Sequence, residues 1–225
     1  MCGRFNVIDN PDLQSLLRDL GIDAGLPSRS NIAPTEMIAA VRHSESGNEL
    51  ADLRWWLTPS WAPQVDQKYA MFNARSETLS TSRAFSKPFR HRRCIVPMTS
   101  FIEWTKEGNL RQPWLIAAPD RALAVAGIWD RWEKHGNVVE SCALLTTAAA
   151  PQFSHIHKRM PVLLGEGDMG RWLDCSVAIA ANDALFASQL KYDLCLDPLS
   201  REVNNARIKD ETLLQPLAQG QLLYA

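Results

Sequence analysis

Six short segments constrain the fold more than anything else in this chain. Residues 36–42, 50–57, 93–104, 112–118, 122–130 and 138–147 are rich in β-branched, aromatic and small apolar side chains. Turn signals such as Glu107-Gly108-Asn109 and His135-Gly136-Asn137 separate them, the pattern expected of antiparallel strands joined by hairpins. Helical signals are fewer. Asn10 before Pro11, with Leu13, Leu16, Leu17 and Leu20 ahead of Gly21, reads as a capped amphipathic helix. Further helices are expected near 78–90, 166–174 and 182–190, the last after an Asn182-Asp183 cap signal, and 22–35 reads as a loop. The expectation is an α+β fold, a curved antiparallel sheet or open barrel with inserted helices, spanning 1–225 as a single domain.

Composition narrows the function. The 225 residues are 46% hydrophobic and 22% charged, and no window approaches the ~20 apolar residues of a membrane span, so no membrane association is expected. No secretory leader is visible, and the five cysteines (2, 94, 142, 175, 195) are odd in number and contain no C-x-x-C pair. That argues against a disulfide framework or a zinc site and for a reducing, cytoplasmic setting. Cys94 and Cys142 lie in apolar runs and read as core. A net charge of −1 speaks against a generic nucleic-acid binder, yet Arg83 to Arg93 reads RAFSKPFRHRR without an acid, either a solvated helix face or a phosphate track.

The chemistry begins at the first residues, Met1-Cys2-Gly3-Arg4-Phe5. Removal of Met1, which a side chain as small as Cys permits, would leave a free α-amine one carbon from a thiol. An α-amine titrates near 7.7–8.0 against about 10.4 for lysine, so its neutral fraction at pH 7 is roughly 400 times larger. With a thiol that ordinarily titrates near 8.5, such a pair suits an aldehyde: the amine forms a Schiff base and the thiol closes a thiazolidine. The alternative is that position 2 merely holds a small residue. Glu103, in Phe101-Ile102-Glu103-Trp104, is either a buried acid with a raised pKa or a strand residue facing water. His155 and His157 sit two apart before Lys158 and Arg159, and lack the companions of a metal site. Asn73-Ala74-Arg75-Ser76-Glu77-Thr78 fits a helix start or a polar loop. Of the eight tryptophans, Trp61 and Trp104 lie nearest these polar positions, where an exposed indole stacks on an unpaired base and a buried one is core.

Jointly these motifs resemble the SRAP family, the SOS-response-associated peptidases, whose members shield abasic sites in single-stranded DNA. The resemblance runs in order through Cys2-Gly3-Arg4-Phe5, Asn31-Ile32-Ala33-Pro34-Thr35, Arg54-Trp55 with Pro59 and Trp61, Asn73 to Thr78, Arg93 to Pro97, Glu103-Trp104, Ala126-Gly127 with Trp129, and Ile156-His157 with Arg159-Met160-Pro161. Departures are Trp56 and Ser100 where the family has glycine, and Ser30 and Ile102 where it has tyrosine. The resemblance implies that Cys2 crosslinks through amine and thiol, that Asn73 orients the sugar or amine, and that Glu103 shuttles protons. His157 would act on the sugar oxygen or the imine. It implies that Arg4, Arg75, Arg83 and Arg159 hold phosphates, with Trp61, Trp104, Pro34, Asn31 and Thr146 shaping the path of the strand. The implied partner is single-stranded DNA containing abasic sites, bound by a monomer without cofactor or metal and associated with the nucleoid through DNA. The family label adds autopeptidase and AP-lyase activities as expectations. Competing readings are an N-terminal-nucleophile hydrolase of the glutamine amidotransferase kind, and a noncovalent single-strand binder.

Overall fold

A computed structural model describes residues 2–108 and 110–225; Met1, and Asn109 of the expected turn, lie outside the described residues. Thirteen strands follow in chain order: β1 Phe5–Val7, β2 Arg29–Ile32, β3 Met37–Ser44, β4 Gly47–Arg54, β5 Asn73–Arg75, β6 Arg93–Met98, β7 Ser100–Glu107, β8 Leu110–Ala117, β9 Leu123–Lys134, β10 Asn137–Ala148, β11 Arg159–Pro161, β12 Leu194–Pro198 and β13 Gln221–Leu223. Three helices accompany them, α1 Pro11–Asp19, α2 Ser86–His91 and α3 Glu166–Leu173.

The curved sheet forms, and it closes on itself. Strands run β10-β4-β3-β6-β9, and β9 pairs antiparallel with β10 to complete a five-stranded barrel, while β5 and β11 add to β10. A second sheet, ordered β13-β12-β8-β7-β1-β2, packs against it. Phe5 of β1 meets Trp55 edge to face at 5.1 Å, and Trp55, fully buried, is shared between the two layers. The β9–β10 hairpin turns at His135 and Gly136, with φ of 52° and 78°, the paired positive values that a two-residue hairpin with right-handed twist requires. Cys94 and Cys142 are wholly buried, and a Cβ at Gly127 would stand 2.9 Å from the Cys94 sulfur, so the glycine lets β6 and β9 approach.

α1 forms as its pattern predicts, with Asn10 accepting from the Leu13 N–H at 2.9 Å and Leu13, Leu16 and Leu17 buried. Elsewhere tertiary contacts override local signals. The expected helix over 78–90 is a single turn at Ser76–Thr78 followed by α2, because Pro88 has no N–H for Ala84 and confines the helix to a start just ahead of it. The expected helix over 182–190 is one turn, Ala184–Phe186. Asp183 does cap it, yet the Thr147 hydroxyl takes the Phe186 carbonyl at 2.6 Å, a group that a longer helix would need for itself. The expected strand over 93–104 splits at Thr99, β6 joining the barrel and β7 the other sheet. The loop 22–35 contains β2, which pairs with β1 through Phe5↔Ile32 and Val7↔Arg29.

The basic run divides in two. Arg93 is buried at 2% exposure and donates to the carbonyls of Trp172 at 2.6 Å, Val177 at 3.0 Å and Asp174. Arg92 pairs with the buried Asp130 and lies over the Trp129 ring. Arg93 therefore ties the barrel to the end of α3 and the segment after it, Arg92 is engaged with β9, and neither cation is available to a phosphate track. No described helix is long and apolar enough to cross a membrane.

Arg93→Met leaves one buried and two partly buried carbonyls without their donor, and each net bond contributes about 1 kcal/mol, so a loss of about 2–4 kcal/mol is expected in urea unfolding. An unchanged midpoint would remove Arg93 from the scaffold.

Candidate active site

Two strand pairings assemble the site. β1 lies antiparallel to β7 with Phe5 across from Phe101 and Asn6 across from Ser100, and the Ile102 N–H donates to the Arg4 carbonyl at 3.0 Å. Continued two residues further, that register sets the Cys2-Gly3 end beside Glu103. On the barrel side, β10 carries β5 in parallel, Leu144↔Asn73 and Thr146↔Arg75, and β11 antiparallel, Ala148↔Arg159. Asn73 then spans the layers, its amide donating to the Cys2 carbonyl at 2.9 Å. The four residues expected to carry chemistry, Cys2, Asn73, Glu103 and His157, thus meet where the two layers join.

Burial sets the electrostatics. Cys2 is fully buried and Glu103 is 2% exposed. Desolvation raises the Glu103 carboxyl above the usual carboxylate range, as its apolar flanks predicted, while the facing His157 pulls it partly back. The Cys2 thiol behaves differently from the free-solution expectation. With residue 2 still internal to the chain, burial first and the Glu103 charge second push it well above an ordinary thiol, so it is not a standing thiolate. It needs a base at the moment of reaction, and the adjacent carboxylate is placed to be one.

His157 is held at one nitrogen: Nδ1 lies 3.0 Å from the Arg159 backbone N–H and 3.1 Å from the Arg159 carbonyl, so the backbone of residue 159 sets the ring's orientation. The two histidines do not lie along an extended strand. Pro151–Phe153 is a helical turn, and the chain continues turning to Ile156, leaving His155 exposed and His157 half-buried.

The residues that the family resemblance assigns to DNA separate into groups. Arg75 is exposed, and Pro34 half-buried. Arg83 stacks on Trp61 at 4.1 Å, and the indole N–H donates to the Arg83 carbonyl at 3.3 Å, leaving Trp61 45% exposed. Arg4 lies over Trp104 at 5.8 Å, and the Trp104 N–H is held by Asn204 at 2.6 Å. Two residues do not reach a surface. Thr146 is fully buried, its hydroxyl accepting from Arg159 at 3.3 Å. Asn31 is fully buried in a left-handed conformation (φ 50°), and its amide donates to the carbonyls of Val203, Asn205 and Ile208 at 3.0–3.1 Å. Their donors and acceptors are largely engaged within the protein, although Asn31 Oδ1 is buried without a hydrogen-bond partner among the described residues.

Glu77 and Asn204 were not singled out from the sequence. Glu77 grips Arg159 with both oxygens, one at 2.9 Å, while Arg159 also donates to the Thr146 carbonyl at 2.6 Å. Its signal lay inside the Asn73 to Thr78 motif; Asn204, distant in sequence, had none. Asn73 Oδ1 and Arg4 Nε are buried without a hydrogen-bond partner among the described residues.

Comparison with known proteins places this geometry among relatives. The profile of the SOS response associated peptidase (SRAP) family matches residues 1–206. The abasic site processing protein YoqW of Bacillus subtilis is 36% identical over 182 residues, 77% of this chain and 80% of its own length. The abasic site processing protein YedK of Escherichia coli is 29% identical over 230 residues, 96% of this chain and all of its own. A crystal structure of a Bacteroides thetaiotaomicron protein superposes with a TM-score of 0.80 at 22% identity, covering 96% of this chain and all of that one, which establishes a shared fold.

The raised Glu103 pKa carries a stability signature. A carboxyl lifted above its unfolded value contributes fully below that value and loses the contribution as pH rises through the folded one. Glu103→Gln is therefore expected to melt above the wild type at pH 8, with the gap closing as pH falls to about 4.5. Scanning calorimetry across that range checks it, and a gap that widens in acid would be the wrong sign.

Proposed function

The chain belongs to the SOS response associated peptidase family, and from that membership we propose that it processes abasic sites in single-stranded DNA by covalent capture through Cys2. The observation that carries the proposal is the Cys2 backbone held by Asn73 at 2.9 Å, with its thiol buried against Glu103 and His157 facing the same carboxylate. An abasic deoxyribose in its open form is an aldehyde, and few arrangements other than a preorganised amine and thiol would bring these groups together there.

The steps follow from the geometry. Hydrolysis of the Met1–Cys2 bond, with uptake of one water, frees the α-amine. Ring opening of the sugar moves the proton of the C1 hydroxyl to Glu103 while His157 protonates the departing ring oxygen. The neutral amine adds to the aldehyde carbon, Glu103 returns its proton to the departing hydroxyl of the carbinolamine, and the nitrogen's proton passes back to His157, leaving water and an imine. The Cys2 thiol then adds to the imine carbon, its proton passing to the nitrogen, and a five-membered thiazolidine closes. Capture itself releases one water, and nothing is oxidised or reduced. Burial helps this order: the thiol stays protonated until the imine has formed, so the amine attacks first. The orphaned Asn73 oxygen and Arg4 nitrogen are two polar atoms that a bound sugar-phosphate would satisfy.

Mixed with an oligonucleotide carrying one abasic site, the protein is expected to give an adduct that survives a denaturing gel, with a mass equal to protein lacking Met1 plus DNA minus water. An intact strand of the same sequence gives none. Cys2→Ala loses the stable adduct but keeps an imine that borohydride traps, and Glu103→Gln slows capture by about 10²-fold or more. Equal behaviour of abasic and intact strands, or an adduct retaining Met1, defeats the proposal.

A further inference from the structure

The basic run from Arg83 to Arg93 has a half that the scaffold does not use. Arg92 and Arg93 are occupied inside the protein. Arg83, Lys87, Arg90 and His91 are all exposed, and no ion pair among the described residues involves any of them. Arg121 and Arg171 are paired with acids, while Arg18, Arg75, Arg111 and Arg201 are exposed without an ion pair among the described residues; what distinguishes the residues from Arg83 to His91 is that they lie close together in sequence.

Helical geometry aligns the strip. Ser86 N–H already bonds to the Ser82 carbonyl at 2.9 Å and Phe89 to Phe85 at 2.8 Å, so helical turns run from residue 82 into α2. Positions 83, 87 and 90 then share one face, while Pro88 and Phe89 on the other are buried. Arg83 to Arg90 rises about 10 Å, which matches roughly three phosphates of a stacked strand. One end of the strip is Trp61, stacked on Arg83. At the other end Arg90 and His91 line a cleft of about 370 Å³, with Ser80 and Ser176 among its walls and Phe89, Val177 and Ile179 supplying apolar surface. A merely solvated helix face is convex and leads nowhere; this one runs from an exposed indole into a concavity. The acid on that side, Asp174, has its carboxylate taken by the Ser176 N–H at 2.9 Å and hydroxyl at 2.6 Å.

We propose that Lys87 and Arg90 form a second phosphate-binding segment, which carries the DNA strand beyond Arg83, away from the lesion and toward the cleft beside His91. The inference rests on the reading of the Cys2 site as one for abasic single strands. Its ligand is a nucleic-acid backbone, favoured over an acidic protein because the strip continues from an aromatic side chain able to stack on a base.

The test compares wild type with Lys87→Ala/Arg90→Ala, both exposed positions, on two abasic DNAs: a trinucleotide with the lesion in its middle and longer strands extended on only the 5′ or only the 3′ side. Noncovalent affinity is measured before capture at several salt concentrations. On the strand extended in the correct direction, the double variant is expected to bind more weakly, and its slope of log K against log salt to fall by about 1.4, two contacts at ~0.7 each. On the trinucleotide the two proteins are expected to match, and at saturating DNA they are expected to capture at the same rate. Unchanged slopes on both extended strands overturn the proposal, as does an equal loss on the trinucleotide, or competition by polyglutamate as strong as by the oligonucleotide. Should wild type itself form no adduct, the function proposed for Cys2 fails instead, and the salt slopes still decide whether the strip binds DNA.

Discussion

The pairing of β1 with β7 is the contact on which the site depends. Three residues of strand, Phe5–Val7, are enough to lay the chain's first residues along the strand that bears Glu103, and Phe5 anchors that strand against Trp55 in the shared core. Without it Cys2 would be part of a terminus, and termini are ordinarily poorly ordered unless tied into a sheet. With it, a residue at the very start of the chain becomes fully buried next to a carboxylate that is itself nearly inaccessible. Asn73 completes the arrangement from the opposite layer, so both sheets must form before the site exists.

Burial then does two chemical things at once. It shifts the pKa of Glu103 and that of Cys2 upward together, against the charged form of each, and their mutual repulsion adds to the effect on the thiol. A carboxyl moved toward neutrality exchanges protons more readily with an amine or imine than an exposed one does. A thiol held protonated waits for an electrophile instead of oxidising. Opposing this, His157 draws the carboxyl back, and its own orientation is set by the Arg159 backbone N–H, with Arg159 braced by Glu77 and Thr146. The histidine's orientation therefore derives from a brace some distance from the reacting atoms. Arg159 is accordingly a structural brace as well as the cation assigned to DNA by family resemblance.

Much of this was legible beforehand. α1 was readable because its cap and leucine spacing agree with its tertiary role, and the long hairpin strands because each has one consistent face. The short strands were not: β1, β5 and β11 have three residues each, too few for any period to show, and they exist only because β7 and β10 offer them edges. Asn31 shows the limit for site residues. An asparagine in a polar loop reads as available for a ligand, and only the fold reveals that its amide nitrogen faces three carbonyls from residues 203–208 while its oxygen is left unpartnered among the described residues.

Residue chemistry, by itself, determined which groups this protein has to work with: a cysteine after the initiator methionine, an acid among aromatics, a histidine beside arginines, and the motif order that marks the family. Those properties belong to side chains and their immediate neighbours, so they are written locally. Tertiary structure alone decided which cations are free and which are struts, that burial disfavours the Cys2 thiolate, and that β1 would carry position 2 to Glu103. Those outcomes depend on desolvation and on contacts between residues about a hundred positions apart, and no window along the chain contains both partners.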